Sequence, residues 1–88
     1  MCLGIPGAVI ALHDDELATV SVNGVEREIS ISLLADEGVG VGDWVLIHVG
    51  FALSKIDAEE AALTLDQIKK LGQAWDDELD AFKQTVIR

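Results

Sequence analysis

An Asn-Gly pair at positions 23 and 24 sits between two runs of alternating character, Leu17-Ala18-Thr19-Val20-Ser21-Val22 and Val25-Glu26-Arg27-Glu28-Ile29-Ser30-Ile31. Asn-Gly between alternating runs is the strongest short-range signal for a β-hairpin, and a turn of two residues fixes the register on both sides of it. Val22 then faces Val25, Val20 faces Arg27 and Ala18 faces Ile29. This gathers most of the apolar side chains on one face and leaves Ser21, Glu26, Glu28 and Ser30 on the other. Arg27 breaks the pattern. Its stem is expected to cover the edge of the apolar face while its guanidinium reaches water or an acid.

A hairpin alone buries too little, and the chain supplies more strands. Gly7-Ala8-Val9-Ile10-Ala11-Leu12 is a short apolar run that follows a Pro-Gly signal and ends at His13-Asp14-Asp15-Glu16, so it predicts a first strand with Pro6 outside its centre. Leu33-Leu34-Ala35 leads into the glycine-rich stretch 36–43, which lacks the Lys-Ser/Thr ending of a phosphate-binding loop and reads as a turn before a strand. That strand is Trp44-Val45-Leu46-Ile47-His48-Val49, with Val45, Ile47 and Val49 on one face and Trp44, Leu46 and His48 on the other. Gly50 permits a bend or bulge, and Phe51-Ala52-Leu53 forms a fifth short strand. Five short strands with glycine corners predict a mainly β fold, a small OB-like barrel, closed or partly closed.

After Lys55 the period changes. Asp57-Ala58-Glu59-Glu60 resembles an N-cap with Glu at N3, and Ala61, Leu65, Ile68 and Gly72 follow at helical spacing. Trp75, Leu79, Phe82 and Val86 carry a helical stripe onward, so Gly72 is either a stop or an interior residue, and one helix or two remain open. The expected organisation is a barrel with its N-terminal segment over residues 1–55 and a helical segment over 56–88, joined in one domain, the number of domains that 88 residues support.

Six basic and sixteen acidic residues give a net charge of −10. That charge repels phosphate backbones, so nucleic acid is not an expected partner. No stretch approaches the roughly 18 to 20 apolar residues of a membrane span, and the start has no positive n-region, so no membrane association is expected and the chain reads as cytoplasmic. A lone cysteine cannot form an internal disulfide, and no Cys/His zinc cage is present. The sequence offers no catalytic triad, and the carboxylate runs Asp14-Asp15-Glu16 and Asp76-Asp77-Glu78 read as solvated faces, so no enzyme is expected.

Two residues stand out by place. Cys2 follows the initiator Met, whose removal would leave a free amine beside the thiol; the neighbouring ammonium favours thiolate, the form that binds soft metals such as low-spin iron. On physics alone it is either such a ligand or an idle terminal cysteine. His48 lies in an apolar strand, where a satisfied structural histidine and a functional one are both possible.

Met1-Cys2-Leu3-Gly4-Ile5-Pro6-Gly7, together with Gly42-Asp43-Trp44-Val45-Leu46-Ile47-His48-Val49-Gly50-Phe51-Ala52, closely resembles the HypC-type hydrogenase maturation chaperones, a family that also holds HybG- and HupF-type members. The resemblance covers about residues 1 to 66, including Ile56-Asp57 and Glu60-Ala61. It implies an OB-like barrel with a C-terminal helix and a non-enzymatic role in building the iron site of [NiFe]-hydrogenases. It further implies that Cys2 transiently holds iron as Fe(CN)2CO together with a HypD-type scaffold and escorts it to the hydrogenase large-subunit precursor, without nickel or nucleotide. His48 is the second residue carried over. Members often have a long polar or basic residue after the Pro-Gly pair, where this chain has Ala8.

A single thiolate at a terminus suits a carrier, because a four-ligand cage would hold its metal too tightly for transfer. Leu3, Ile5 and Pro6 around Cys2 are expected to supply apolar contact to a partner cleft. Two rival readings remain: a small acidic adaptor in which Cys2 is inert, and an OB-type oligonucleotide binder, which the charge and the few stacking candidates Trp44, Phe51, Trp75 and Phe82 disfavour.

Overall fold

A computed structural model describes residues 4–14 and 16–84. Five strands, β1 (Ile5–Leu12), β2 (Leu17–Val22), β3 (Val25–Ser30), β4 (Trp44–His48) and β5 (Phe51–Ile56), form a closed barrel in the order β1-β2-β3-β5-β4. This is the mainly β, OB-like architecture that the strand count and glycine corners predict. Strand β1 pairs antiparallel with both β2 and β4, and its register shifts between Val9 and Ala11, a bulge that lets one strand serve two neighbours.

The β2–β3 hairpin has the predicted register, Val22 to Val25, Val20 to Arg27 and Ala18 to Ile29. Asn23 and Gly24 adopt φ of 52° and 82°, the two positive values of a type I′ turn. Ala18, Val20, Val22 and Ile29 are buried and join Ile5, Val9, Val45, Ile47 and Ala52 in the barrel core. The barrel closes on a narrow parallel seam between β3 and β5, where Ser30 stands opposite Phe51 and its N–H donates to the Gly50 carbonyl at 2.9 Å. A single 3-10 turn, Ser32–Leu34, seats Leu34 in the core before the glycine-rich loop.

Two helices follow, which decides the question that Gly72 left open. Helix α1 (Ala58–Lys70) begins as expected: the Asp57 carboxylate accepts from the Glu60 N–H at 2.7 Å. Gly72, at φ 59°, turns the chain in the left-handed region that glycine enters freely and starts α2 (Gln73–Lys83). Ala61 and Ile68 of α1 and Phe82 of α2 are buried, with Trp75 and Leu79 packed against the core, so the helical stripe is the face laid on the barrel. Val86 lies outside the described residues. No helix is long and apolar enough to cross a membrane among the residues described.

Two expectations are corrected. Val49 does not continue the core face of β4: it is 67% exposed and its φ is 52°, because the chain reverses immediately after His48. The Arg27 guanidinium finds neither an acid nor only water. Its Nε–H donates to the Lys83 carbonyl at 2.9 Å and its Nη1–H to the Glu26 carbonyl at 2.7 Å, satisfying a carbonyl in the last turn of α2, where helices leave acceptors unpaired and favour positive charge. Strand β5 is also longer than its apolar residues suggested, continuing through Ser54 and Lys55 to Ile56.

Candidate functional site

Gly4 lies tightly against β4. A Cβ at that position would stand 2.8 Å from the Leu46 Cγ and 3.0 Å from the Ile47 carbonyl oxygen, and a carbonyl in a paired strand cannot retreat. Gly7 is equally confined, because its Cβ would meet the Ile47 Cδ1 at 2.6 Å and the Val22 Cγ2 at 3.0 Å. Ile5 is 1% exposed and Pro6 is also fully buried, paired with Leu46 near the start of β1, where a missing N–H is tolerated. Ile5 and Pro6 therefore belong to the barrel wall here, rather than offering the surface expected of partner-contact residues. Cys2 and Leu3 lie outside the described residues.

β1 runs antiparallel to β4, with Ile5 opposite Ile47 and Pro6 opposite Leu46, so Gly4, against Leu46 and the Ile47 carbonyl, stands toward the end of β4 that carries His48. His48 belongs to the outer face of its strand, as alternation requires, since Val45 and Ile47 are buried and Trp44, Leu46 and His48 are partly exposed. Its side chain is 41% exposed.

Directly after His48 the chain makes a second two-residue hairpin, with His48 paired to Phe51 and Val49-Gly50 at the corner. Their φ values, 52° and 80°, again define a type I′ turn. The tight corner brings the Gly50 carbonyl to Ser30 and so closes the barrel. Closure accounts for Gly50 but not for Val49, a β-branched residue in a conformation that disfavours it by roughly 1–2 kcal/mol. Val49 and the 43% exposed Phe51 give this end of the barrel an apolar tip. Pattern reading missed Val49 because it fits the alternation of β4; the following glycine, preceding a second apolar run, was the available signal.

Glu78 of α2 is the other residue that pattern reading missed. The run Asp76-Asp77-Glu78 reads as a solvated face, and Asp76 and Asp77 are indeed exposed, Asp77 taking the Gln73 amide at 3.2 Å. Glu78, by contrast, has a side chain only 12% exposed, with Oε1 at 3.2 Å from the His48 Nδ1. Its position, three after Trp75 and four before Phe82, places it on the packed stripe, and that spacing was visible in the sequence.

The opposite end of β4 is held by a different ionic pair. The Asp43 carboxylate accepts from the Gly40 N–H at 2.8 Å and lies 3.3 Å from the Lys55 Nζ, which also donates to the Gly38 carbonyl at 3.1 Å. The Gly40 hydrogen bond, with Lys55 behind it, holds the Asp43 carboxyl below its ordinary 3.8 against the contrary pull of partial burial. These contacts pin the glycine-rich loop, consistent with its reading as a turn.

Elsewhere the chemistry is structural. The Asp14 carboxylate accepts from the Glu16 and Leu17 N–H groups at 2.7 and 2.9 Å and shapes the β1–β2 loop. A groove of about 330 Å³ lined by Leu12, Asp14, Ile31, Leu34 and Val39 includes neither Gly4 nor His48. Among the described residues no cluster of three or more His, Cys, Asp or Glu side chains stands ready to hold a metal ion. Of the stacking candidates, Phe82 is buried and the Trp75 ring carries Lys69 at 5.5 Å.

The HupF/HypC family model matches residues 1–68. Hydrogenase maturation factor HybG of Escherichia coli K12 is 44% identical over 75 residues, covering 81% of this chain and 92% of its own. Hydrogenase maturation factors HypC of Helicobacter hepaticus, 44% identical over 89% of this chain and 90% of its own, and of Rhodobacter capsulatus, 45% identical over 84% and 81%, are similarly related. The two glycine-bearing blocks that build the Gly4–His48 end of the barrel both lie inside the matched region, and the chain belongs to the HupF/HypC family.

Proposed function

We propose that this protein is a hydrogenase maturation chaperone and not an enzyme. In this reading the Cys2 thiolate takes up iron as Fe(CN)2CO, its cargo, together with a HypD-type scaffold protein, and delivers it to the [NiFe]-hydrogenase large-subunit precursor. The observation that carries the reading is the convergence at one end of the barrel. Gly4, His48 and the strained, exposed Val49 stand at that end, in a chain of the HupF/HypC family whose Cys2 lies two residues before Gly4 in the sequence.

The chemistry of transfer suits this arrangement. A thiolate donates one electron pair to the iron and releases it when donors of the precursor take that place, with no change in oxidation state. One soft ligand gives selectivity for soft, low-spin iron without the hold of a closed cage. Gly4, Ile5, Pro6 and Gly7 then anchor the segment in the barrel wall, while Leu3, Val49 and His48 meet the partner.

The test is a pull-down of the tagged chain, with the tag at the C-terminus, from hydrogenase-producing cells, followed by iron analysis and infrared spectroscopy. Co-purification of a HypD-type scaffold with iron and with CO and CN stretching bands is expected. Recovery of partners without iron, equally for wild type and Cys2→Ala, would favour the acidic adaptor with an inert Cys2.

A further inference from the structure

The contact between His48 and Glu78 assigns more than proximity. An ionised carboxylate can only accept, so the 3.2 Å contact to Glu78 Oε1 requires the hydrogen on His48 Nδ1. Glu78 is not free to follow the ring elsewhere. Its side chain is 12% exposed, its helix is seated by Trp75, Leu79 and Phe82, and Arg27 holds the end of that helix through the Lys83 carbonyl. In the neutral ring one nitrogen donates and the other accepts, so engagement of Nδ1 leaves Nε2 with its lone pair. Among the described residues Nε2 meets no hydrogen-bond partner, and the side chain is 41% exposed.

We infer that Glu78 is the positioning residue of His48: it fixes the Nδ1–H form of the ring and presents Nε2 as a hydrogen-bond acceptor for an N–H donor of the partner protein. The inference deepens the proposed function, on which the identity of the partner rests, whereas the state of the ring does not depend on it. It also narrows what His48 does. A neutral ring held this way cannot donate from Nε2 to a cyanide nitrogen, which is itself an acceptor, so that role is closed to His48. Glu78 lies beyond residue 68, where the family match ends, so the family blocks alone do not carry this device.

The experiment uses the full chain labelled with ¹⁵N, with the ring nitrogens read by two-bond proton–nitrogen correlation at pH 8.5. The chain has two histidines, and a His48→Gln variant identifies the signals of His48. The expected wild-type spectrum has Nδ1 protonated and Nε2 bare. Glu78→Met, which keeps the volume and removes the acceptor, should move more than half of the ring population to the Nε2–H form. A wild-type ring protonated on Nε2 alone, or a Glu78→Met ring unchanged from wild type, would overturn the inference. The wild-type spectrum decides the matter even if the variant does not fold.

A second arm measures affinity for the HypD-type scaffold at the same pH. His48→Ala and Glu78→Met should each weaken binding by roughly fivefold to tenfold, the net worth of one hydrogen bond, and the double variant should be no weaker than His48→Ala. Additive losses, or a Glu78→Met chain that binds as wild type does, would overturn the positioning role. A wild-type chain that does not bind the scaffold at all would overturn the assigned partner and the proposed function, while the ring spectrum would still decide how Glu78 holds His48.

Discussion

The molecule makes the same two-residue turn twice, and the two corners differ in what occupies them. Asn23-Gly24 and Val49-Gly50 have nearly the same backbone, φ 52° and 82° in the first and 52° and 80° in the second. Asparagine enters the left-handed region readily, since its short polar side chain can hydrogen-bond locally; valine, branched at Cβ, is crowded there. The first corner is therefore what stability alone would choose, whereas the second accepts strain to display an apolar side chain that is 67% exposed. Strain of this kind persists where the surrounding structure over-determines the backbone. Here the Gly50 carbonyl bonded to Ser30 and the β4–β5 ladder supply that constraint.

Exchanging the corners tests this contrast. Asn23→Val should place the strain of the second turn in the first, destabilising the protein by about 1–2 kcal/mol. For a domain of this size each kcal/mol lowers the melting temperature by roughly 4–8 °C. Scaffold binding should be unaffected. Equal melting temperatures for Asn23→Val and wild type would show that the left-handed region is not the source of the difference.

The reverse exchange has the opposite sign in stability and a cost in function. Val49→Asn should raise stability by about 1 kcal/mol, since it removes strain at an exposed position where little packing is lost. It should also weaken scaffold binding severalfold. A variant that is both more stable and fully competent would leave Val49 without a role.

A smaller effect separates the two ends of β4. The Asp43 carboxyl is held below its ordinary 3.8 in the folded chain, so its contribution to stability is present above that value and is lost as the pH falls through the lower folded value. Asp43→Asn should therefore be less stable than wild type at neutral pH, and the gap should close on acidification below about pH 3.8. Scaffold binding at neutral pH should be retained, because Asp43 acts on the Gly40 loop and not on the His48 end. A gap of constant size down to pH 2 would mean that the Asp43 contacts add no pH-dependent stability.

The same contrast explains which parts of the molecule were legible in the sequence. The β2–β3 register could be read to the residue because Asn23-Gly24 marks the turn with the chemistry that the turn prefers. The end of β4 was misjudged because Val49 goes against that preference: its apolar character continues the alternation of Val45 and Ile47, and only the tertiary demand for closure at Ser30 turns the chain there. Gly72 was ambiguous for a physical reason, since a glycine fits both a helix interior, at some cost, and a left-handed break, and only its φ of 59° decides.

The candidate site was legible in part. The block containing Cys2 was recognisable, but the structure divides its work: Gly4 and Gly7 serve close approach, and Ile5 and Pro6 serve the wall. His48 was placed correctly on the outer face of β4, whereas Glu78 was hidden among three consecutive acids that differ only in which face of α2 they occupy. Arg27 was recognised as an anomaly in its strand, and its partner could not be foreseen because it lies 56 residues away, at the end of a helix whose existence was itself undecided.

The central claim, that the Cys2 thiolate is the working group, is tested most directly by replacing it. In cells that depend on this chain for hydrogenase maturation, hydrogenase activity should be lost when Cys2 is replaced by serine, whose hydroxyl is a poor, hard substitute for a soft thiolate. The purified Cys2→Ser protein should melt at the same temperature as wild type, because the exchange replaces a single atom and keeps the shape of the side chain. Normal hydrogenase activity in cells carrying Cys2→Ser would contradict the account.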